Sequence, residues 1–354
     1  MVKNSNKSLM RVLGISFLFG MSSMSFAEIV MNSGSDQAKL SWSSEEANQL
    51  LNGDVSATAG DEGEPSPQGS IKVSTSVRSS NGAAPVAPAK KVQIFDTSAS
   101  GYSNQPSVNA RAALVMDGQT GEVLYSKNSN TAFPIASLTK LMTAVVISDS
   151  RLNMSEKITL QQGDFSCSGC KSSSSTLRAG DSMNRAEALL FALMKSENPA
   201  ASALARTYPG GRPAFFAAMN AKARSLGMNS THYVESTGLH PGNVASARDL
   251  GILVNTASQY GLIRQFSTTP SYDFNLGYRV LKSNNTNALV RNGGWNINLS
   301  KTGYINEAGR CVVMHTTLNN RPAVVVLLGA DSSAARTNDA TRLMTWVSQL
   351  PKRI

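Results

Sequence analysis

The chain has 354 residues, enough for one large domain or two, and its 41% hydrophobic content allows a packed core. The formal net charge is +10; three of the positives, Lys3, Lys7 and Arg11, fall in the first 27 residues, and the remaining excess of about +7 draws it toward anionic surfaces. No block of Lys and Arg interleaved with aromatics accompanies that charge, which argues against nucleic acid and leaves an anionic polymer of another kind.

The first stretch, 1–27, reads as a secretory leader. Lys3, Lys7 and Arg11 form a basic start, Val12 to Met21 a short apolar run, and Ser25-Phe26-Ala27 a small-x-small cleavage site. The apolar run is well short of the ~20 residues a membrane span needs. We therefore expect cleavage after Ala27, a periplasmic location and no stable membrane anchor. Residues 28–107 are rich in Ser, Ala, Gly, Pro and Asn, as in Ala83-Ala-Pro-Val-Ala-Pro88. Such a composition buries too little apolar surface to offset ordering entropy, and it predicts a flexible tether. The folded domain is expected over 108–354.

Within that domain, Ala112–Met116 and Glu122–Lys127 flank the turn segment Asp117-Gly-Gln-Thr-Gly121 and predict a β-hairpin. A helix is predicted from Pro134 to about Ser148, with Pro134 in its first turn. Residues 154–181 are polar and irregular. Helices follow over 185–207, interrupted at Pro199, over 213–226, ended by Gly227, and over 248–259. Strand patterns then appear at 278–282, 297–302, 309–318 and 322–329, with Asn319-Asn320-Arg321 as a hairpin turn. Ala323 to Leu328 is continuously apolar, as in a central strand covered on both faces. An amphipathic helix closes the chain over 335–350. Strands at both ends with helices between predict an α+β fold: one antiparallel sheet built from both termini of the domain, with an inserted helical lobe.

Cys167 and Cys170 stand in a Ser- and Gly-rich stretch, and the pattern is open between a small disulfide and two free thiols. Cys311 lies in an apolar run and reads as a core residue. His232, His240 and His315 show no ligand spacing, so no metal or cofactor is expected. Arg248-Asp249 reads as a helix-start ion pair, with a substrate contact as the alternative.

Three short motifs carry chemistry. Ser137-Leu-Thr-Lys140 puts a hydroxyl and an amine one helical turn apart, roughly 5–6 Å between Cβ atoms, a way to activate serine without histidine. Alone it is weak, since roughly one Ser-x-x-Lys is expected by chance in such a chain. Ser168-Gly-Cys-Lys171 is such a match, in a loop with no helix entry. Ser196-Glu197-Asn198 sits at a helix end, and Lys301-Thr302-Gly303 ends a strand. Their order, Ser-x-x-Lys, Ser-x-Asn, Lys-Thr-Gly, is that of the active-site serine enzymes that recognise penicillin.

With these motifs, with Ser236-Thr-Gly-Leu239, and with the runs from Ser196 to Gly211 and from Ser300 to Cys311, the sequence resembles the D-alanyl-D-alanine peptidases, the low-molecular-mass penicillin-binding proteins. It is most similar to their endopeptidase branch. The resemblance spans about 109–350. Glu197 departs from the commoner Asp or Gly, and the Cys167/Cys170 pair has no counterpart in the pattern.

The resemblance implies the DD-peptidase/β-lactamase-like fold and an exported serine peptidase acting on D-alanyl cross-links of peptidoglycan, with β-lactams as covalent inhibitors. Ser137 would attack the carbonyl and Lys140 take its proton, kept neutral by burial and by Lys301 nearby. Ser196 would relay a proton to the leaving amine and Asn198 hold the substrate amide. Lys301 and Thr302 would bind a substrate carboxylate or carbonyl. Gly303 would let the strand approach the substrate, and the backbone N–H groups of Ser137 and Tyr304 would form an oxyanion hole. A carboxypeptidase, a serine β-lactamase and a non-catalytic wall-binding module are the alternatives. The β-lactamase reading wants a carboxylate base in 207–213, where the sequence has none.

Overall fold

The computed structural model describes Tyr102 and residues 104–351. The expected leader and nearly all of the expected tether lie outside the described residues. Where the latter ends, Tyr102 stacks edge-on against Trp346 with ring centroids 6.1 Å apart. The Ser107 carbonyl accepts from Arg342.

The predicted hairpin forms as β1 (Ala112–Asp117) and β2 (Val123–Lys127). Its turn is held by Asp117 Oδ1, which accepts from the N–H groups of Gln119 and Thr120, an Asx turn. Next, β3 (Ala132–Pro134) pairs with β6 (Val244–Ser246). Pro134 thus ends a strand instead of opening a helix. The chain turns at Ala136, which takes a positive φ of 48°. It passes through a 3₁₀ turn, Ala136–Leu138, and only then enters α1 (Thr139–Asp149). Residues 139–148 of α1 are all buried, so the helix runs through the middle of the lobe.

Inside the stretch expected to be irregular, β4 (Lys157–Thr159) pairs with β5 (Ser182–Asn184). Two strands of three residues give too short an alternation to read in sequence. The next helix starts as α2 (Arg185–Leu190), capped by a reciprocal Asn184–Glu187 box. It widens into a π turn, Phe191–Lys195, and ends at Ser196, whose φ is 65°. The restart is α3 (Asn198–Arg206), with Pro199 in its first turn. The break therefore lies just upstream of the proline, whose missing N–H costs nothing there.

Helix α4 (Gly211–Leu226) ends at left-handed Gly227, as expected. Helix α5 (Ala247–Ala257) is capped by Ser246. Asp249 binds the Ser230 N–H and the Thr231 hydroxyl and so fastens the preceding loop. Helix α6 (Gly261–Thr268) and β7 (Ser271–Asn275), which pairs with β8 (Val280–Asn284), complete the lobe. Neither α6 nor β7 was predicted, since each is short and of mixed polarity.

After α7 (Ala288–Asn292), the chain returns as β9 (Asn296–Ile305), β10 (Gly309–Leu318) and β11 (Arg321–Ala330), then α8 (Ser333–Ser348). The main sheet has the order β2-β1-β11-β10-β9, antiparallel throughout, so β11 is central as its apolar run required. Its side chains alternate. Val324, Val326 and Leu328 join the core shared with the lobe, while Val325 and Leu327 pack toward Leu343 and Met344 of α8. Full burial of each such side chain is worth about 1.5–3 kcal/mol. The α+β sheet assembled from both ends is as expected, with β9 at its edge facing the lobe.

Candidate active site

The site lies where three elements meet: the turn into α1, the break between α2 and α3, and the edge strand β9. Ser137 sits in the 3₁₀ turn, and Lys140 follows one turn later, fully buried. Lys140 Nζ is 3.0 Å from Ser137 Oγ, 2.6 Å from Asn198 Oδ1 and 2.6 Å from the Thr237 carbonyl oxygen. Burial pulls the amine down to about 7, while the charges of Glu235 and then Glu197 act in the opposite sense. A neutral amine has two N–H bonds to give. Asn198 and Thr237 accept them, and the lone pair is left facing the Ser137 hydroxyl.

Across the cleft, Lys301 is buried and donates to Ser196 Oγ at 2.8 Å and to the Thr302 carbonyl at 2.9 Å. Burial lowers its pKa well below the ordinary lysine value, and the charges of Lys140 and Arg336 lower it further. The sequence reading named burial and Lys301 as what keeps Lys140 neutral. In the structure burial lowers the Lys140 amine, and repulsion between the two amines shows on Lys301. Thr302 donates its hydroxyl to Thr286. Tyr304 is half exposed, its ring under the Arg310 guanidinium at 3.5 Å.

Gly303 has a different neighbour from the one expected. A Cβ there would stand 3.0 Å from the Ile135 carbonyl and 3.1 Å from the Ser137 nitrogen. The glycine lets β9 press against the nucleophile's own turn and brings the strand's residues 303–304 beside the Ser137 N–H.

Glu197 holds the 173–176 loop through the Ser175 hydroxyl at 2.5 Å and the Thr176 hydroxyl at 2.6 Å. From that loop Ser173 accepts the Asn198 amide at 2.8 Å. Cys167 and Cys170 form a disulfide. Their loop rests on the 237–240 segment, where Lys171 N–H donates to the Leu239 carbonyl at 3.0 Å. Cys311 is a buried core thiol, and burial raises its pKa to about 11. Buried His315 is pushed down to about 4, chiefly by burial. His240 accepts from the Gly242 N–H.

The structure thus brings Ser137, Lys140, Ser196, Asn198, Lys301, Thr302, Gly303 and Tyr304 together from three distant stretches. Sequence reasoning assigned no role to the 235–238 segment. Thr237 supplies a carbonyl to Lys140, and Ser236 supplies one to Thr143 at 2.8 Å. Gly238 has a φ of +87°, and a Cβ there would overlap the Ala136 carbonyl. Ser236-Thr-Gly-Leu was visible as part of the resemblance, but backbone groups leave no residue-type signal. Arg336, on α8, was also missed. It is largely buried and places positive charge near Lys301 and Arg310.

The family model for D-alanyl-D-alanine carboxypeptidase matches residues 99–332. The chain belongs to that family. It is similar to a D-alanyl-D-alanine endopeptidase of Pseudomonas aeruginosa, 46% identical over 254 residues, covering 70% of this chain and 80% of the relative. It is similar to the D-alanyl-D-alanine endopeptidase of Escherichia coli, 44% identical over 257 residues, covering 72% of this chain and 82% of that one. Among solved structures it resembles the Streptomyces K15 DD-transpeptidase with a TM-score of 0.64 and 29% identity, over 70% of this chain and all of that one. Membership makes the chain a serine peptidase, and the fold is that of the family.

Proposed function

We propose that the protein is exported to the periplasm and there hydrolyses D-alanyl cross-links of peptidoglycan through an acyl-enzyme on Ser137. The observation that carries this reading is the set of contacts around Lys140. An amine held at about 7 by burial, with two hydrogen bonds directed elsewhere, is poised to take the Ser137 proton. Ser137 then attacks the D-alanyl carbonyl, the developing oxyanion meets the N–H groups of Ser137 and Tyr304, and the amine of the second peptide leaves with a proton passed through Ser196. Asn198 orients the substrate amide. Lys301 and Thr302 bind its carboxylate or carbonyl, and the positive charge of nearby Arg336 favours an anionic group there. Water then hydrolyses the ester. β-Lactams would acylate the same serine.

The net positive charge favours an anionic wall polymer. Among the described residues no helix is long and apolar enough to cross a membrane. Likeness to the endopeptidases exceeds that to the carboxypeptidases matched, such as a Bacillus subtilis relative at 31% identity, and it favours cross-link cleavage over release of terminal D-alanine. Digestion of purified muropeptides tests this. Conversion of cross-linked dimers to monomers is expected, and release of D-alanine from monomers alone would overturn it. Rapid turnover of a penicillin would favour the β-lactamase alternative instead.

A further inference from the structure

We propose that Glu235 is a positioning residue for the general base: it fixes the Thr237 carbonyl that holds Lys140 and keeps a negative charge beside the amine. The inference rests on the reading of Lys140 as the base.

Glu235 is 5% exposed. Its carboxylate accepts from the N–H groups of Thr237 at 2.5 Å, Gly238 at 2.6 Å and His240 at 3.3 Å. It also accepts from the Asn243 amide at 3.0 Å. All four partners are donors, which suits an anion and not a side-chain amide, whose NH₂ would face another N–H. Glu235 thereby folds the chain back on itself over residues 235–240 and points the Thr237 carbonyl at Lys140.

The clasp also reaches the nucleophile. Asn243 donates to Thr139 Oγ1 at 3.1 Å, and its carbonyl accepts from the Ile135 N–H at 3.1 Å. Both ends of the turn that carries Ser137 are tied to the same network. Gly238 lies against Ala136 with no room to spare, so a shift of the 235–240 loop is transmitted to Ser137 and Lys140 together.

The groups facing the amine are Glu235 from this loop, Glu197 from the helix break and Lys301 from β9. Those facing Glu235 are Lys140, the backbone N–H of His240 and the Cys167–Cys170 disulfide, whose sulfurs lie within 4.8 Å of a carboxylate oxygen. The disulfide carries no charge. Neutralising Glu235 therefore removes an anion that favours the protonated amine, and Lys140 should shed its proton at lower pH.

The test is the rate of Ser137 acylation by a fluorescent penicillin, measured across the pH range on the full mature protein. In Glu235→Gln the acid limb of that profile is expected to move down by about half a pH unit or more. The plateau rate is expected to fall about tenfold or more as the carbonyl relaxes. An acid limb left in place overturns the proposal, whatever the rate, because a merely structural role slows acylation at every pH alike. Should Glu235→Gln not fold, Glu235→Asp decides. It keeps the charge and shortens the reach, so a slower rate with the wild-type limb is expected, and a wild-type rate overturns the proposal. Failure of the base reading shows separately, as a wild-type profile with no acid limb.

Discussion

Lys301 Nζ on the sheet edge lies 2.8 Å from Ser196 Oγ on the helix break, a contact between residues 105 positions apart. This bond joins the sheet to the lobe across the cleft, beside the pair Ser137 and Lys140. Positive φ at Ser196 and at Ala136 holds both serine-bearing turns in conformations that L-residues rarely adopt, as is common where side chains are aimed at a reacting centre.

Ser137→Ala should abolish the covalent penicilloyl adduct seen by mass spectrometry of the intact protein. An adduct that persists would place the nucleophile elsewhere, and none on either protein would favour a non-catalytic module.

Lys140→Arg should keep the fold, checked by circular dichroism, yet lower the acylation rate by about 10²–10⁴-fold. A guanidinium stays charged and has no lone pair to offer. Retention of the wild-type rate would show that Lys140 is not the base.

Acylation by wild type should rise with pH through about 7, where the Lys140 amine loses its proton. Stability should move the same way. Lys140 and Lys301 both have folded pKa values below the unfolded lysine value. From about 7 up to about 10.4 the unfolded chain binds protons that the folded amines release, so their contribution to stability rises with pH. Denaturant midpoints at pH 7 and pH 9 check the sign.

Gly238→Ala should cost about 3 kcal/mol or more, through backbone strain and overlap with the Ala136 carbonyl. Gly303→Ala has no positive φ to violate and should cost about 1 kcal/mol. Its Cβ still presses on the Ser137 nitrogen, so acylation should fall further than stability does. Thermal melts and acylation rates of the two variants separate these effects.

Replacing Cys167 and Cys170 together with Ser should destabilise the domain by about 1–2 kcal/mol, since so short a loop loses little entropy on closure. A change in acylation rate larger than that in stability would show that the disulfide loop supports the 237–240 segment through Leu239.

By itself the sequence determined the sheet strands β9, β10 and β11, the central place of β11 and the order of the three motifs. Long apolar runs and motif spacing are local properties. It also contained every side chain assigned to chemistry, because a hydroxyl, an amine and a carboxamide are legible as residue types. Tertiary structure alone decided that Pro134 ends a strand, since only pairing with Val244 places it there. It decided that Gly303 yields space to the Ser137 turn and that the amine repulsion lowers Lys301. It alone revealed the Thr237 carbonyl, the Gly238 contact and the Glu235 clasp. These depend on backbone groups and on burial, which arise only when distant segments pack and which no residue type records beforehand.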